Sequence, residues 1–269
     1  MSEQSQGSRV EAMYDQQATN YADFKEGSFS WQFIELPAFD RYLGGKELPH
    51  LANLYTPTTR VLDLGCGAGL VAQHLVSRGI DPKNITGIDL SQNLVREAQT
   101  RVPGARFIHA SIDNFDVPAG SFDLVTSNMV FHYLNNEQLS RSLHLVYEAL
   151  KPGGTLFFID ADPDYNEATR RPENVNKWLE LPTPWGTTAP WFSRDPHELL
   201  LDITHFAGFD VVGGFPLRVA DAGKVMPVEY QKYTNYPARM AARLVKVSES
   251  EKLSRLSSRN YSLPSLSNK

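Results

Sequence analysis

The sequence predicts an α/β fold, a doubly wound seven-stranded sheet, mostly parallel, with helices on both faces. Three observations predict it. Short apolar runs rich in β-branched residues alternate with helical segments from about residue 60 to residue 160. A glycine-rich turn, Gly65-Cys66-Gly67-Ala68-Gly69, follows the first run and opens the first helix after it. The chain has 269 residues, 41% of them hydrophobic, and no Ser/Gly/Pro linker in its middle, so it can bury one large core.

Taken in order, residues 8–43 read as helical and aromatic, with Tyr14, Tyr21, Phe24, Phe29, Trp31, Phe33, Phe39 and Tyr42, and Pro37 restarts a helix in its first turn. Strand candidates follow at RVLDL, NITGID, RFIHA, FDLVTS and GTLFFID, and helix candidates at 68–78, 91–101 and 136–150. Ser91 stands where an N-cap is wanted, its oxygen placed to accept an orphan backbone N–H. Residues 161–194 carry many prolines and Trp178, Trp185 and Trp191, which predicts an ordered insertion over the carboxyl edge of the sheet, because disordered segments are poor in aromatics. Asp195-Pro196-His197-Glu198 supplies an N-cap acid, an N1 proline and an N3 glutamate for a helix stopped by Gly208. FDVVGGF and a strand near 239–247 complete the sheet. The organisation is thus 1–45 as an N-terminal helical segment, 46–247 as the α/β domain with its 161–194 insertion, and 248–269 as a polar, serine-rich, frayed tail.

Composition excludes several functions. A formal charge of −5 argues against polyanion binding by counterion release, so no nucleic acid partner is expected. No apolar leader opens the chain and no apolar run approaches membrane-spanning length, which predicts a cytoplasmic protein without a membrane partner. Cys66 is the single cysteine, set between two glycines as a small residue that fits rather than reacts. His50, His74, His109, His144 and His197 show no ligand spacing, so no metal is expected.

The glycine turn is the informative motif. At the first strand-to-helix turn of a doubly wound sheet a ligand binds beyond the strand ends, and glycine lets the backbone approach it at positive φ. A dinucleotide fingerprint needs its third glycine where Leu70 stands, and no Gly-Lys-Ser/Thr closes a P-loop. Asp63, just ahead of the glycines, would repel a pyrophosphate but favours a cation, directly or by orienting amides and waters. Asp89 ends the second strand, where a carboxylate can take both hydroxyls of a ribose. These features favour a ligand with a ribose and a positive charge but no phosphate.

D-x-G-x-G-x-G after a first strand, with an acid ending the second, resembles the S-adenosylmethionine-dependent methyltransferases of the Rossmann-like class. GSFDLV before strand four and LKPGGTLFFID at strand five are similar to that family's corresponding elements, and the likeness runs from about Tyr14 to Val247. Within the class the chain is most similar to the UbiE-like or type 11 small-molecule methyltransferases of quinone and natural-product pathways. The resemblance implies S-adenosylmethionine as cofactor, with Gly65, Cys66 and Gly67 along its methionine part, Asp89 and Leu90 at the ribose, Ser111 and Ile112 at the adenine edge and Asn128 near the sulfonium. Ser111 stands where many relatives have an aspartate; serine still accepts a bond from the adenine amino group, and Asp113 is the substitute at hand.

The reaction this implies is an in-line displacement, in which a general base matters only if the nucleophile must lose a proton. His132, just after strand four, is the foremost candidate base, and packing against a backbone carbonyl is an equal reading of it. Tyr133 could assist or be a core tyrosine. Asp160 and Asp162 could orient a base or bind a cationic acceptor, or simply cap the strand end, and His205 reads as a satisfied helix residue. Tyr14 and Tyr21 share one helical face, and MYDQQATNYADF fits the Y-D-x-x-A-x-x-Y lid of relatives. Phe29, Trp31, Phe33, Trp185, Trp191 and Phe192 could together wall a pocket for an aromatic, terpenoid or polyketide-like acceptor, with core packing the default for each of them singly. The aromatic amino terminus also offers a surface for homo-oligomerisation. The expected function is methyl transfer from S-adenosylmethionine to the O, N or C of a hydrophobic or aromatic small molecule in secondary metabolism; a noncatalytic S-adenosylmethionine sensor or scaffold is the alternative.

Overall fold

The computed structural model describes residues 3–45, 52–161, 169, 171–183, 188–194, 203, 208–218 and 237–257. Trp185, Asp162, His50, His197, His205 and the helix expected from Asp195 lie outside the described residues.

The chain opens with α1 (Glu3–Gly27), a five-residue π-helical turn (Trp31–Glu35) and α2 (Leu36–Leu43). The break falls at Ser28, whose hydroxyl donates to the Lys25 carbonyl and accepts the Trp31 N–H, while Pro37 sits in the first turn of α2 as expected. The α/β alternation then runs β1 (Val61–Leu64), α3 (Leu70–Ser77), β2 (Ile85–Asp89), α4 (Gln92–Arg101), β3 (Arg106–His109), β4 (Phe122–Asn128), α5 (Asn136–Ala149) and β5 (Leu150–Ala161). Ser91 caps α4 by accepting the Leu94 N–H at 3.2 Å. β6 (Lys177–Pro182) and β7 (Thr188–Ser193) form a separate hairpin, and β8 (Phe209–Arg218) and β9 (Pro237–Lys246) return to the main sheet.

The main sheet has seven strands in the order β3-β2-β1-β4-β5-β9-β8. β3, β2, β1, β4 and β5 are mutually parallel, and β9 is antiparallel to both its neighbours. Burial on both faces explains why these strands read as continuous apolar runs. Neighbouring residues feed opposite cores: Leu124 and Phe157 join Phe39, Tyr42 and Leu75 on one face, and Val125 and Phe158 join Leu143, Val146 and Tyr147 on the other. The strand order reverses between β1 and β4, which places the ligand crevice at the carboxyl ends of β1, β2 and β4.

Two expectations are corrected. The frayed tail is helical at its start, as α6 (Glu249–Ser257): Ser248 caps it by accepting the Glu251 N–H, and Lys252 lies over the Tyr147 ring at 3.8 Å. Trp31 is no pocket wall but a core residue packed on the α2 side of the sheet. The aromatic face of the N-terminal segment is also turned inward, onto the glycine turn through Tyr14 and Tyr21 and into the core through Phe39 and Tyr42, leaving Phe24 as its one exposed large ring among the described residues. No helix among the described residues is long and apolar enough to cross a membrane.

The insertion is bolted to the segment after β4. Arg194 donates to the carbonyl oxygens of Leu134 and Phe131 and to the Asn136 side chain, and its guanidinium lies over the Phe192 ring. Across the hairpin Trp178 meets Phe192 edge-on. The described part of the insertion, the β6–β7 hairpin, is thereby held against the segment that follows β4.

Candidate active site

Gly65, Gly67 and Gly69 all take positive φ (+63°, +51° and +81°), so the turn after β1 exists only because these residues lack a Cβ. A Cβ on Gly65 would stand 2.3 Å from a Val130 methyl, and one on Gly67 would point at the Tyr21 ring, 3.8 Å away. Gly65→Ala is expected to lower stability by about 1–3 kcal/mol through strain and overpacking, read as a drop in Tm; an unchanged Tm would mean that the turn relaxes freely.

Asp89 organises this turn. Its Oδ2 accepts the Gly67 N–H and its Oδ1 the Ser91 N–H, each at 2.8 Å, so the carboxylate spans the crevice with lone pairs left for a diol. Burial raises its pKa, and the two backbone bonds pull it back. Beside it, the Leu90 carbonyl accepts a bond from His109 Nε2 at 2.8 Å. Ser111 donates its hydroxyl proton to Asp113, itself paired with Arg141 at 3.0 Å, which leaves the serine oxygen to serve as an acceptor.

These groups line one cavity at the carboxyl ends of the strands. Its walls include Gly65, Gly67, Asp89, Leu90, Ser111 and Ile112. α1 supplies another wall through Val10, Tyr14 and Tyr21, and the end of β4 supplies Asn128, Met129 and Val130, with Tyr133 just beyond. Met129 sits at φ +62°, a strained value for a side chain of its size, at the point where the chain leaves β4 for the cavity wall.

The lid segment is tied down at both ends of its tyrosine face. The hydroxyls of Tyr14 and Tyr133 share a hydrogen bond of 2.7 Å, and the Tyr14 and Tyr21 rings meet edge-on at 4.9 Å. Burial raises all three phenols, Tyr133 to about 12, so each stays a neutral donor. Asp15 latches the helix to the start of α4, accepting bonds from the Ser91 hydroxyl and the Asn93 N–H. Burial alone would raise the Asp15 pKa, but these bonds outweigh it and lower the value.

His132 and Asp160 form a second constellation at the ends of β4 and β5. His132 Nδ1 lies 2.5 Å from Asp160 Oδ1, the His132 N–H reaches Oδ2 at 3.1 Å, and the Ala161 N–H donates to Oδ1 at 2.8 Å. An ionised carboxylate only accepts, so Nδ1 carries the proton and Nε2 is left as the base. The imidazole stacks on Trp191 at 4.1 Å and touches the Tyr133 ring at 4.1 Å. Nearly buried, the ring stands behind Tyr133 rather than in the cavity wall.

Residues 61–154 match a family described as "Methyltransferase domain". The match runs from β1 to the Pro-Gly-Gly segment of β5, so α1, α2, the hairpin, β8 and β9 lie outside the matched part of the chain. An uncharacterized methyltransferase of Synechocystis sp. is 31% identical over 143 residues, 52% of this chain and 62% of that one. Trans-aconitate 2-methyltransferase of Rhodopseudomonas palustris is 38% identical over 97 residues, 36% of each chain. The chain thus spans between 36% and 62% of the length of these curated relatives. The 1,6-didemethyltoxoflavin-N1-methyltransferase of Burkholderia thailandensis shares the fold, with a TM-score of 0.60 over 92% of each chain at 16% identity.

Two cofactor expectations fall outside the cavity wall. Cys66 turns its side chain into the core, against Gly87 and below Phe107, and burial raises its thiol pKa. Asp63 lies one layer beneath the turn, where its Oδ1 accepts the Thr126 hydroxyl at 2.7 Å and its Oδ2 has no hydrogen-bond partner. Its action on a ligand is through the turn rather than by contact. Among the described residues no cluster of three or more His, Cys, Asp or Glu is placed to hold a metal.

Burial pushes the Asp63 carboxyl up to about 7, opposed by the Thr126 bond. A folded value above the unfolded one, about 3.9, favours the protonated form in the fold. That contribution is complete below about pH 4 and is lost as pH rises towards 7. Relative to Asp63→Asn, the ligand-free wild type should therefore lose up to about 4 kcal/mol of stability over this window. A Tm difference that stays flat with pH would contradict it.

The sequence reading missed Asp15 as a latch, Glu35 beneath Asn128, and the strained Met129. Asp15 was visible as the acid of YDQQATNY, and Glu35 as a lone acid in the apolar run WQFIELPAF. Nothing local marks Met129.

Proposed function

We propose that this protein transfers a methyl group from S-adenosylmethionine to a hydrophobic or aromatic small molecule, at an O or N nucleophile that must shed a proton. The observation that carries the reading is the glycine turn clasped by Asp89 at the switch point, opening on a cavity whose walls offer acceptors. The residues fit the cofactor. Asp89 keeps lone pairs for a ribose diol, the Ser111 oxygen is an acceptor for an adenine amino group, and the buried Asn128 Oδ1 has no hydrogen-bond partner. S-adenosylmethionine, when bound, supplies a methyl group already activated by its sulfonium.

The chain's own residues then have three tasks. Tyr14 and Tyr21 close over the cavity with the lid and set electron-rich rings beside a cation. Tyr133 holds the lid through Tyr14. His132 accepts the acceptor's proton on Nε2, while Asp160 fixes the ring's tautomer and steadies the imidazolium that forms. Trp191 stacks on that ring and holds its plane. The acceptor would enter between Tyr133 and the β6–β7 hairpin, whose aromatic residues suit an apolar molecule.

Relatives support methyl transfer but name differing acceptors: trans-aconitate in one, phthiotriol and phenolphthiotriol dimycocerosates in another. The test is incubation with methyl-labelled S-adenosylmethionine and a panel of hydroxylated or amino aromatic compounds. A gain of one methyl mass unit in an acceptor is expected. Tight cofactor binding without turnover on any acceptor or cell extract would favour the sensor reading.

A further inference from the structure

We infer that Glu35 is a positioning residue for the methyl-donor site, fixing the Asn128 amide so that its oxygen, not its nitrogen, faces the cationic end of the bound donor; this rests on the cofactor reading above.

Glu35 closes the π-helical turn between α1 and α2, and its carboxylate is fully buried. π-helical turns recur at functional sites. Lys25 Nζ reaches both carboxylate oxygens at 2.7 Å, Ser30 Oγ donates to Oε1 at 2.6 Å, and Arg239 Nε stands 3.7 Å from Oε1. The remaining bond comes from Asn128 Nδ2 to Oε2 at 2.7 Å. The Lys25 and Arg239 charges more than offset burial and hold the Glu35 carboxyl at about 2, so it is ionised at every working pH.

An ionised carboxylate has acceptors only, so the amide of Asn128 can present nothing but its NH₂ to Glu35. Its orientation is therefore set by chemistry. Oδ1 must lie on the opposite side of the amide, and it is buried without a hydrogen-bond partner in a residue that lines the cavity beside Gly65 and Tyr21. A buried acceptor left open is costly unless a ligand donor or cation completes it. The cofactor's sulfonium and ammonium are the matching groups. Lys25 belongs to α1, so the same carboxylate joins the lid helix to the end of β4.

Glu35→Gln tests this. A glutamine would give its single acceptor oxygen to Lys25 and turn its NH₂ towards Asn128, which would then swing its own nitrogen into the cavity. Titration calorimetry on the full chain should use S-adenosylmethionine and 5′-methylthioadenosine, which has the adenosine but neither cation. Glu35→Gln should weaken S-adenosylmethionine on the order of tenfold or more and methylthioadenosine less than about twofold. Asn128→Leu, with the buried ion pair intact, should show the same selective loss, and the double variant should add little to it. Equal losses for both ligands, or unchanged S-adenosylmethionine affinity in Asn128→Leu, would overturn the inference. Wild-type protein that binds neither ligand would sink the cofactor reading and this one with it, whereas wild-type binding with an even loss sinks only the role of Glu35.

Discussion

His132→Ala is expected to lower kcat by roughly 100- to 10,000-fold, with the S-adenosylmethionine dissociation constant changed less than about twofold. The split follows from position: His132 stands behind Tyr133 and outside the cavity wall, so it has no contact through which to hold the cofactor. Its bonds run instead to Asp160, which leaves Nε2 as the proton acceptor. Asp160→Asn should reproduce much of the loss, because an amide can turn its nitrogen to Nδ1 and stabilise the wrong tautomer. Folding must be checked beside activity, since Asp160 also accepts two backbone N–H bonds. If His132→Ala turns over near the wild-type rate with every acceptor found, the histidine is packing between Trp191 and Tyr133, and the acceptor needs no base.

Asp89→Ala should weaken S-adenosylmethionine binding by about 1–3 kcal/mol, the worth of charge-assisted bonds to a ribose. The effect belongs at the upper end of that span. The same carboxylate holds the Gly67 and Ser91 N–H groups, so its removal loosens the turn as well as the diol contact. Asp89→Asn separates the two terms: it keeps the shape and one acceptor, so it should fall between wild type and alanine. Calorimetry reads the affinity and a melting curve reads the turn. Affinity unchanged in Asp89→Ala would remove the ribose from this position.

The parts of this fold that are legible in the sequence are those set by local rules. Positive φ at Gly65, Gly67 and Gly69, the Ser91 cap and the apolar runs buried on both faces depend on residues within a few positions of one another. Most boundaries fall within a residue or two of the expected ones, but β5 begins four residues before GTLFFID and β8 runs three beyond FDVVGGF. What escaped depends on contacts far apart in the chain. The bond from Asn128 to Glu35 joins residues 93 positions apart, and the latch of Asp15 on Ser91 joins residues 76 apart. Trp31 was grouped with pocket aromatics because composition says nothing about which face of a short helical turn meets the sheet. Cys66 and Asp63 were placed by their motif at the cavity, yet alternation along β1 and its turn sends their side chains below it. The serine-rich end was misread for the opposite reason: its composition suggested fraying, while Ser248 begins a helix held against Tyr147.

A crystal structure of the full chain with S-adenosylhomocysteine tests the central claim most directly. The ribose hydroxyls should lie within hydrogen-bond distance of the Asp89 carboxylate, the adenine beside Ser111 and Ile112, and the amino-acid end along Gly65 and Gly67 towards Asn128. Nucleoside density elsewhere, or a crevice that stays closed by Tyr14 and Tyr21 at saturating ligand, would contradict it.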